Sequence, residues 1–278
     1  MTGAQIRELT ERYGIRPSKT LGQNFLLDPN LARAIARDAE VGPGSRVVEI
    51  GAGLGSLTTA LADAGADEVL AIEFDRGLIP ALEEVVADRP AVRVLHADAT
   101  RLDWRAALGD GPWTLCGNLP YNVGTRIVVD VVERVPSVGR LVVMLQGEVA
   151  ERLAATPQGR LADAYGAVSV RVAYRARAEI VRRVPPEVFW PRPSVGSAVV
   201  RIDRLDAPLV DVDEERLWRV VDAAFAERRK TIRNGVRRLG LTLMQADEVL
   251  ACAGIAPSSR PEELWVPEFA RIAGALPP

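Results

Sequence analysis

Histidine and cysteine are nearly missing from this 278-residue chain, which has one His and two Cys, Cys116 and Cys252. Neither cysteine stands in a CxxC pair or at a metal-ligand spacing, which argues against a metal site and a disulfide framework and leaves both thiols reduced. No apolar run approaches the roughly 18 residues of a membrane-spanning helix, and the charged stretch from Met1 to Lys19 lacks the apolar centre of a secretory signal. The expectation is a cytoplasmic protein with no metal and no membrane role. An overall positive charge is missing too: 35 Lys and Arg against 37 Asp and Glu give a net charge of -2. That balance looks wrong for a partner of nucleic acid, because neutralising phosphates supplies most non-specific affinity.

What is present is unevenly placed. Cations gather in the leader (Arg7, Arg12, Arg16, Lys19), between Arg171 and Arg204, and in the run Arg228-Arg229-Lys230-Thr231-Ile232-Arg233 with Arg237 and Arg238. Together the clusters favour a polyanionic partner, although each alone also reads as an ordinary solvated face. A hydrophobic content of 48% makes an ordered chain the default. The length suits one large α/β domain and a smaller appendage.

Short apolar runs alternate with helical periodicity along the first half. Arg46 to Ile50, Glu68 to Glu73, Val92 to His96, Trp113 to Cys116 and Leu141 to Leu145 read as strands. Ser56 to Ala64, Gly77 to Ala87 and Thr125 to Glu133 read as the helices between them, and Asp28-Pro29 caps an earlier one. Such alternation predicts a doubly wound, Rossmann-like α/β sheet of parallel strands. Later strands near 178–184 and 197–202 are predicted to pair at its edge, joined by a stiff loop from Pro185 to Pro193. Composition shifts near Asp206, where Asp213 caps a helix with Leu217, Val220, Val221, Ala224 and Phe225 on one face. Residues 1–206 are thus expected to form the catalytic domain and residues 207–278 a small all-α domain.

Three strand ends carry the candidate chemistry. Gly51-Ala52-Gly53-Leu54-Gly55 follows a strand and opens a helix, where backbone N–H groups and the helix dipole favour an anion. Dinucleotide enzymes use a similar turn, but here Ser56 occupies the sixth position, and G-x-G-x-G suits the single carboxylate of S-adenosylmethionine better than a pyrophosphate. Glu73, about twenty residues on, is placed to accept from ribose hydroxyls. Asp98, with Ala99 after it, lies where an adenine amino group would sit. The lone His96 beside them reads as structural.

Gly117-Asn118-Leu119-Pro120-Tyr121-Asn122 follows the fourth strand and matches the Asn-Leu-Pro-Tyr form of the motif found in amino-methyltransferases. The exocyclic nitrogen of adenine is a poor nucleophile because its lone pair is delocalised into the ring. The Asn118 side-chain oxygen and the Leu119 carbonyl are suited to accept its two N–H bonds, and Tyr121 offers a face for an extruded base.

With these residues, the chain resembles the KsgA family of small-subunit ribosomal RNA adenine dimethyltransferases from Lys19 to about Arg271. The likeness rests on Leu21-Gly22-Gln23-Asn24-Phe25-Leu26, Glu49 to Gly53, Asn118 to Asn122, Met144-Leu145-Gln146 with Glu148-Val149-Ala150, Phe189-x-Pro191-x-Pro193-x-Val195, and Ala224-Phe225 through Arg228 to Asn234. The resemblance implies that Asn24 and Leu26 join Gly51, Gly53, Glu73, Asp98, Ala99 and Asn118 around S-adenosylmethionine. It also implies that Phe189 packs on the target base opposite Tyr121, and that Arg228, Arg229, Lys230 and Arg233 meet RNA. The implied substrate is a pair of adjacent adenosines near the 3′ end of 16S ribosomal RNA in an assembling small subunit, acted on by a monomer. Gly147 departs from the pattern, since relatives usually carry a basic residue there. Three alternatives stay open: an erythromycin-resistance type of large-subunit methyltransferase, a non-catalytic assembly factor, and a dinucleotide-dependent dehydrogenase.

Overall fold

The computed structural model describes residues 1–18, 20–120, 123–227 and 230–277. The chain divides into two compact units, Met1–Ala150 with Ala178–Arg204, and Glu151–Arg177 with Leu205–Pro278. The second unit therefore takes in residues 151–177, which the composition shift near Asp206 assigns to the first.

In the first unit, helix α1 (Gly3–Arg12) and the short strand β1 (Phe25–Leu26) precede α2 (Pro29–Asp38). The sheet then builds through β2 (Arg46–Ile50), α3 (Ser56–Asp63), β3 (Glu68–Glu73), α4 (Ile79–Val86), β4 (Val92–His96), α5 (Trp104–Leu108), β5 (Trp113–Asn118), α6 (Gly124–Arg134) and β6 (Val138–Gln146). Helix α7 (Gly147–Ala154) carries the division between the units, α8 (Ala167–Arg175) lies in the second, and β7 (Ala176–Val184), β8 (Phe189–Trp190) and β9 (Ser197–Arg204) follow. The apolar runs Val47-Val48 and Val69 to Ile72 are covered on both faces, as parallel strands flanked by helices must be.

The seven-stranded sheet has the order β4-β3-β2-β5-β6-β9-β7. Strands β2 to β6 pair parallel, and β9 runs antiparallel to β6 with Leu141 opposite Ile202. β7 lies beside β9 at the edge, so the two late strands are neighbours as expected. The order reverses between β2 and β5, and their carboxyl ends open the crevice in which sheets of this kind hold ligands. The segment read from sequence as a stiff loop also contains β8, which pairs antiparallel with β1, Leu26 opposite Phe189.

The second unit is helical apart from the start of β7. Helices α9 (Glu214–Phe225), α10 (Ile232–Arg237), α11 (Leu243–Ala253) and α12 (Val266–Ala275) enclose Tyr165, Tyr174, Leu217, Ile232, Leu250 and Phe269. Asp213 caps α9 by accepting from the Arg216 N–H at 3.0 Å, as its position before two glutamates predicts. Helix α11 begins at Leu243. Thr242 and Gln245 form a capping box there, and Ile232–Arg237 before it forms a helix of its own.

Candidate active site

A cavity of about 290 Å³ opens at the β2/β5 crevice. Its walls bring together Asn24, Gly51, Gly53, Glu73, Asp98, Ala99 and Asn118, which are contributed by separate strand ends and the leader. Leu26 instead lines a smaller chamber behind the glycine turn, with Glu49, Ser56 and Asn118, and its carbonyl accepts from the Ser56 hydroxyl at 2.8 Å.

Four of the five N–H groups of the glycine turn are directed to acceptors within the protein rather than toward a ligand. Those of Gly51 and Ala52 donate to Ile72 O, that of Gly53 to Glu73 Oε2 at 2.7 Å, and that of Gly55 to Ala52 O. What the glycines provide is room. Gly51 has φ +74°, and a Cβ there would lie 3.4 Å from the Asn118 carbonyl; Gly53 has φ +58°, and a Cβ would meet the Phe25 ring at 3.4 Å. Side chains at either position would fill the space between the turn and its neighbours.

Glu73 is 6% exposed, and burial raises its pKa above the ordinary carboxylate value. Its oxygens accept from Gly53 N and Asp75 N, the latter at 2.8 Å, which leaves lone pairs for two more donors such as a pair of ribose hydroxyls. Asp98 has the opposite character. The Thr100 hydroxyl, at 2.7 Å from Oδ1, holds its pKa below the usual range, and Thr100 N donates to the same oxygen at 2.9 Å. Oδ2 remains for an amino group, with Arg101 3.8 Å away. His96 reaches the Phe74 carbonyl at 3.0 Å and does not line the cavity.

Asn118 ends β5 beside this space, and its Nδ2 donates to the Asn24 carbonyl at 2.9 Å. The side-chain oxygen is thereby turned the other way, available as an acceptor. The Pro120 carbonyl is engaged by Val123 N and Gly124 N, whereas no described residue donates to the Leu119 carbonyl. The Leu119 side chain is buried beneath the site, and the residue is not part of the cavity wall. Tyr121, the expected stacking partner and catalytic residue, lies outside the described residues, as do Arg228 and Arg229.

Two expectations meet a different geometry. Phe189 is 3% exposed, and its pairing with Leu26 turns the ring into an apolar cluster with Met144, Val184 and Val199 rather than into the cavity. Its neighbour Trp190 stacks on Phe25, ring centroids 6.1 Å apart. In the second unit, Arg233 does not project freely, since its Nε lies 2.7 Å from Asp247. Lys230 is exposed and lines an open depression with Glu227, Asn234, Arg237 and Arg238.

The cavity also uses residues that the strand-end reading overlooked: Gln23, Phe74, Leu78, Thr100, Val123 and Ile127. Phe74 had a visible signal, a large apolar residue directly after a strand-end acid, and it is 55% exposed. Thr100 also had one, an Asp-x-Thr turn. Leu78 and Ile127 look like ordinary helix-face residues in sequence.

Residues 15–275 match the family model described as ribosomal RNA adenine dimethylase. The chain is 44% identical over 279 residues to ribosomal RNA small subunit methyltransferase A of Acidothermus cellulolyticus, covering 99% of this chain and 94% of that one. Among solved structures, the 23S rRNA methyltransferase ErmE superposes with a TM-score of 0.70 at 27% identity, over 91% of this chain and 99% of that one. A dimethyladenosine transferase from Plasmodium falciparum shares the fold with a TM-score of 0.74 at 20% identity, over 89% and 95% of the two chains.

Proposed function

Because the chain belongs to the ribosomal RNA adenine dimethylase family, we propose that it transfers methyl groups from S-adenosylmethionine to the N6 atoms of two adjacent adenosines near the 3′ end of 16S ribosomal RNA. The substrate is the assembling small subunit, and the enzyme acts as a monomer. The observation that carries the chemistry is the orientation of Asn118, whose amide is tied through nitrogen to Asn24 and so offers oxygen to the site.

The cavity fits the cofactor by its donor set. Buried Glu73 has acceptor capacity for a ribose, Asp98 for an adenine amino group, and the glycines leave the space that side chains would fill. S-adenosylmethionine supplies an electrophilic sulfonium methyl and departs as a neutral thioether. Asn118 Oδ1 and the Leu119 carbonyl accept the two N–H bonds of the target amine and aim its lone pair into the cavity. Tyr121 stacks on the extruded base. The amine becomes acidic as it is alkylated, so its proton passes to bulk solvent after methyl transfer, once the site reopens, and no strong base is required of the chain. The rate then comes from alignment and exclusion of water.

The test is to incubate unmethylated small and large subunits with labelled S-adenosylmethionine and map the products by primer extension. Label on adjacent small-subunit adenosines supports the reading. Label on the large subunit favours the activity named for ErmE, the likeness that keeps this alternative in view. Binding without incorporation points to an assembly factor. Asn118→Ala is expected to reduce transfer by about 10²-fold or more while cofactor affinity stays within a few-fold; full turnover by that variant removes the mechanism.

A further inference from the structure

Leu21, Gly22, Gln23 and Asn24 form one wall of the cavity, and this segment is held at both ends. On one side Phe25 and Leu26 pair with Trp190 and Phe189. On the other, the Gln23 side chain closes on two partners: Oε1 accepts from Ser18 N at 2.7 Å, and Nε2 donates to Asp75 Oδ2 at 2.6 Å. Asp75 is fixed in turn, donating its N–H to Glu73 Oε1 at 2.8 Å and accepting from Gly77 N at 2.9 Å. Between the two anchors, the Asn24 carbonyl accepts from Asn118 Nδ2. Hydrogen bonds thus lead from Glu73 through Asp75 to Gln23, and the carbonyl of the very next residue orients Asn118.

An amide has nearly the same shape at its oxygen and nitrogen ends. Rotated by half a turn, Asn118 would present NH₂ to the NH₂ of adenine, donor against donor. In the described wall, the Asn24 carbonyl is the group that distinguishes the two orientations. A backbone carbonyl is only as fixed as the segment bearing it. Asn24 adds a bond from its own Nδ2 to Gly22 O at 3.0 Å, which is local and ties the segment to nothing outside.

We propose that Gln23 is a positioning residue for methyl transfer: its latch on Asp75 holds the Asn24 carbonyl where it keeps the Asn118 oxygen facing the target nitrogen. The proposal rests on the reading of Asn118 given above. Gln23 does no chemistry itself, so its loss lowers turnover more than cofactor affinity.

Gln23→Glu tests this, because it preserves shape and the acceptor for Ser18 N but sets a carboxylate against Asp75. Adding Asp75→Asn restores a hydrogen bond of reversed polarity, while the amide oxygen of the substituted side chain still accepts from Gly77 N. Turnover is measured on unmethylated small subunits with both substrates saturating, and the cofactor dissociation constant by calorimetry. Gln23→Glu is expected to lower kcat about tenfold or more with the dissociation constant changed less than about threefold, and the double variant to recover most of kcat. Loss confined to cofactor affinity, or a double variant as slow as the single one, overturns the latch. If Gln23→Glu does not fold, Gln23→Leu, which removes both side-chain bonds without adding charge, is read in the same assays, and wild-type kcat there overturns it equally. Wild-type protein that methylates neither subunit overturns the underlying reading, and the latch with it; a normal wild type without rescue overturns the latch alone.

Discussion

Glu49 sits one residue before the end of β2, is 1% exposed, and has an oxygen, Oε2, with no hydrogen-bond partner. Burial pushes its pKa up to about 8, and the Glu73 charge adds to that; the Thr58 hydroxyl beside it pulls the other way without reaching good hydrogen-bond geometry. A carboxyl whose folded pKa exceeds its unfolded value binds more protons when folded. Its stabilising contribution is complete below about pH 4.5, declines through the interval, and is gone once pH passes about 8. Burial shifts Glu73 in the same direction. Glu49→Gln, neutral at every pH, is therefore expected to gain stability relative to the parent as pH rises from 5 to 9, by a few kcal/mol at most. Denaturant unfolding of both proteins across that range measures the gap. A gap independent of pH shows that Glu49 titrates normally.

Elements place these residues by how closely their backbones approach. Gly117, next to Asn118 on β5, packs against β2 so tightly that a Cβ would lie 2.5 Å from the Ile50 carbonyl. Ile50 is the residue before the glycine turn, so this close approach lies between the two strand ends that face the cavity. Backbone cannot swing aside as a side-chain tip can. Gly117→Ala is expected to destabilise the protein by about 1–3 kcal/mol and to reduce methyl transfer out of proportion to that loss, because the strand ends spread. Chemical denaturation together with turnover at a temperature where the variant remains folded separates the two effects. A variant of normal stability and rate would mean that the strands tolerate the extra carbon.

At the scale of the whole molecule, a chain of net charge -2 must bind RNA through a local surface. In the second unit, Lys230 and Arg237 have no ion-pair partner among the described residues, while Arg238 is 2.7 Å from Glu227 and Arg233 is held by Asp247. Lys230→Gln with Arg237→Gln is expected to weaken ribosomal RNA binding several-fold and to reduce the slope of log affinity against log salt by about 1.4–1.8, each phosphate contact contributing roughly 0.7–0.9. Filter binding over a salt series measures the slope, and cofactor titration checks that the first unit is unaffected. An unchanged slope moves the RNA contact elsewhere.

Local pattern was enough to define the strands that end in Ile50, Glu73 and His96, whose bounds agree with the structure, and to pick out Asn118 and the acids around the cavity. Those features follow from periodicity and from which residue types end a strand, and both are written in short windows. Other features depend on residues far apart in the chain. The β1–β8 pairing joins positions more than 150 residues apart and turns Phe189 inward. Assignment of residues 151–177 to the helical unit is likewise a matter of what Tyr165 and Tyr174 pack against. The pairing of Arg233 with Asp247, and the chain of bonds from Glu73 to Asn118, arise only when separate segments share one wall. The sequence by itself determined the chemical groups and the strand ends that carry them. Tertiary packing decided which of those groups are free to act, because burial and hydrogen-bond partners are properties of assembled neighbours and not of position along the chain.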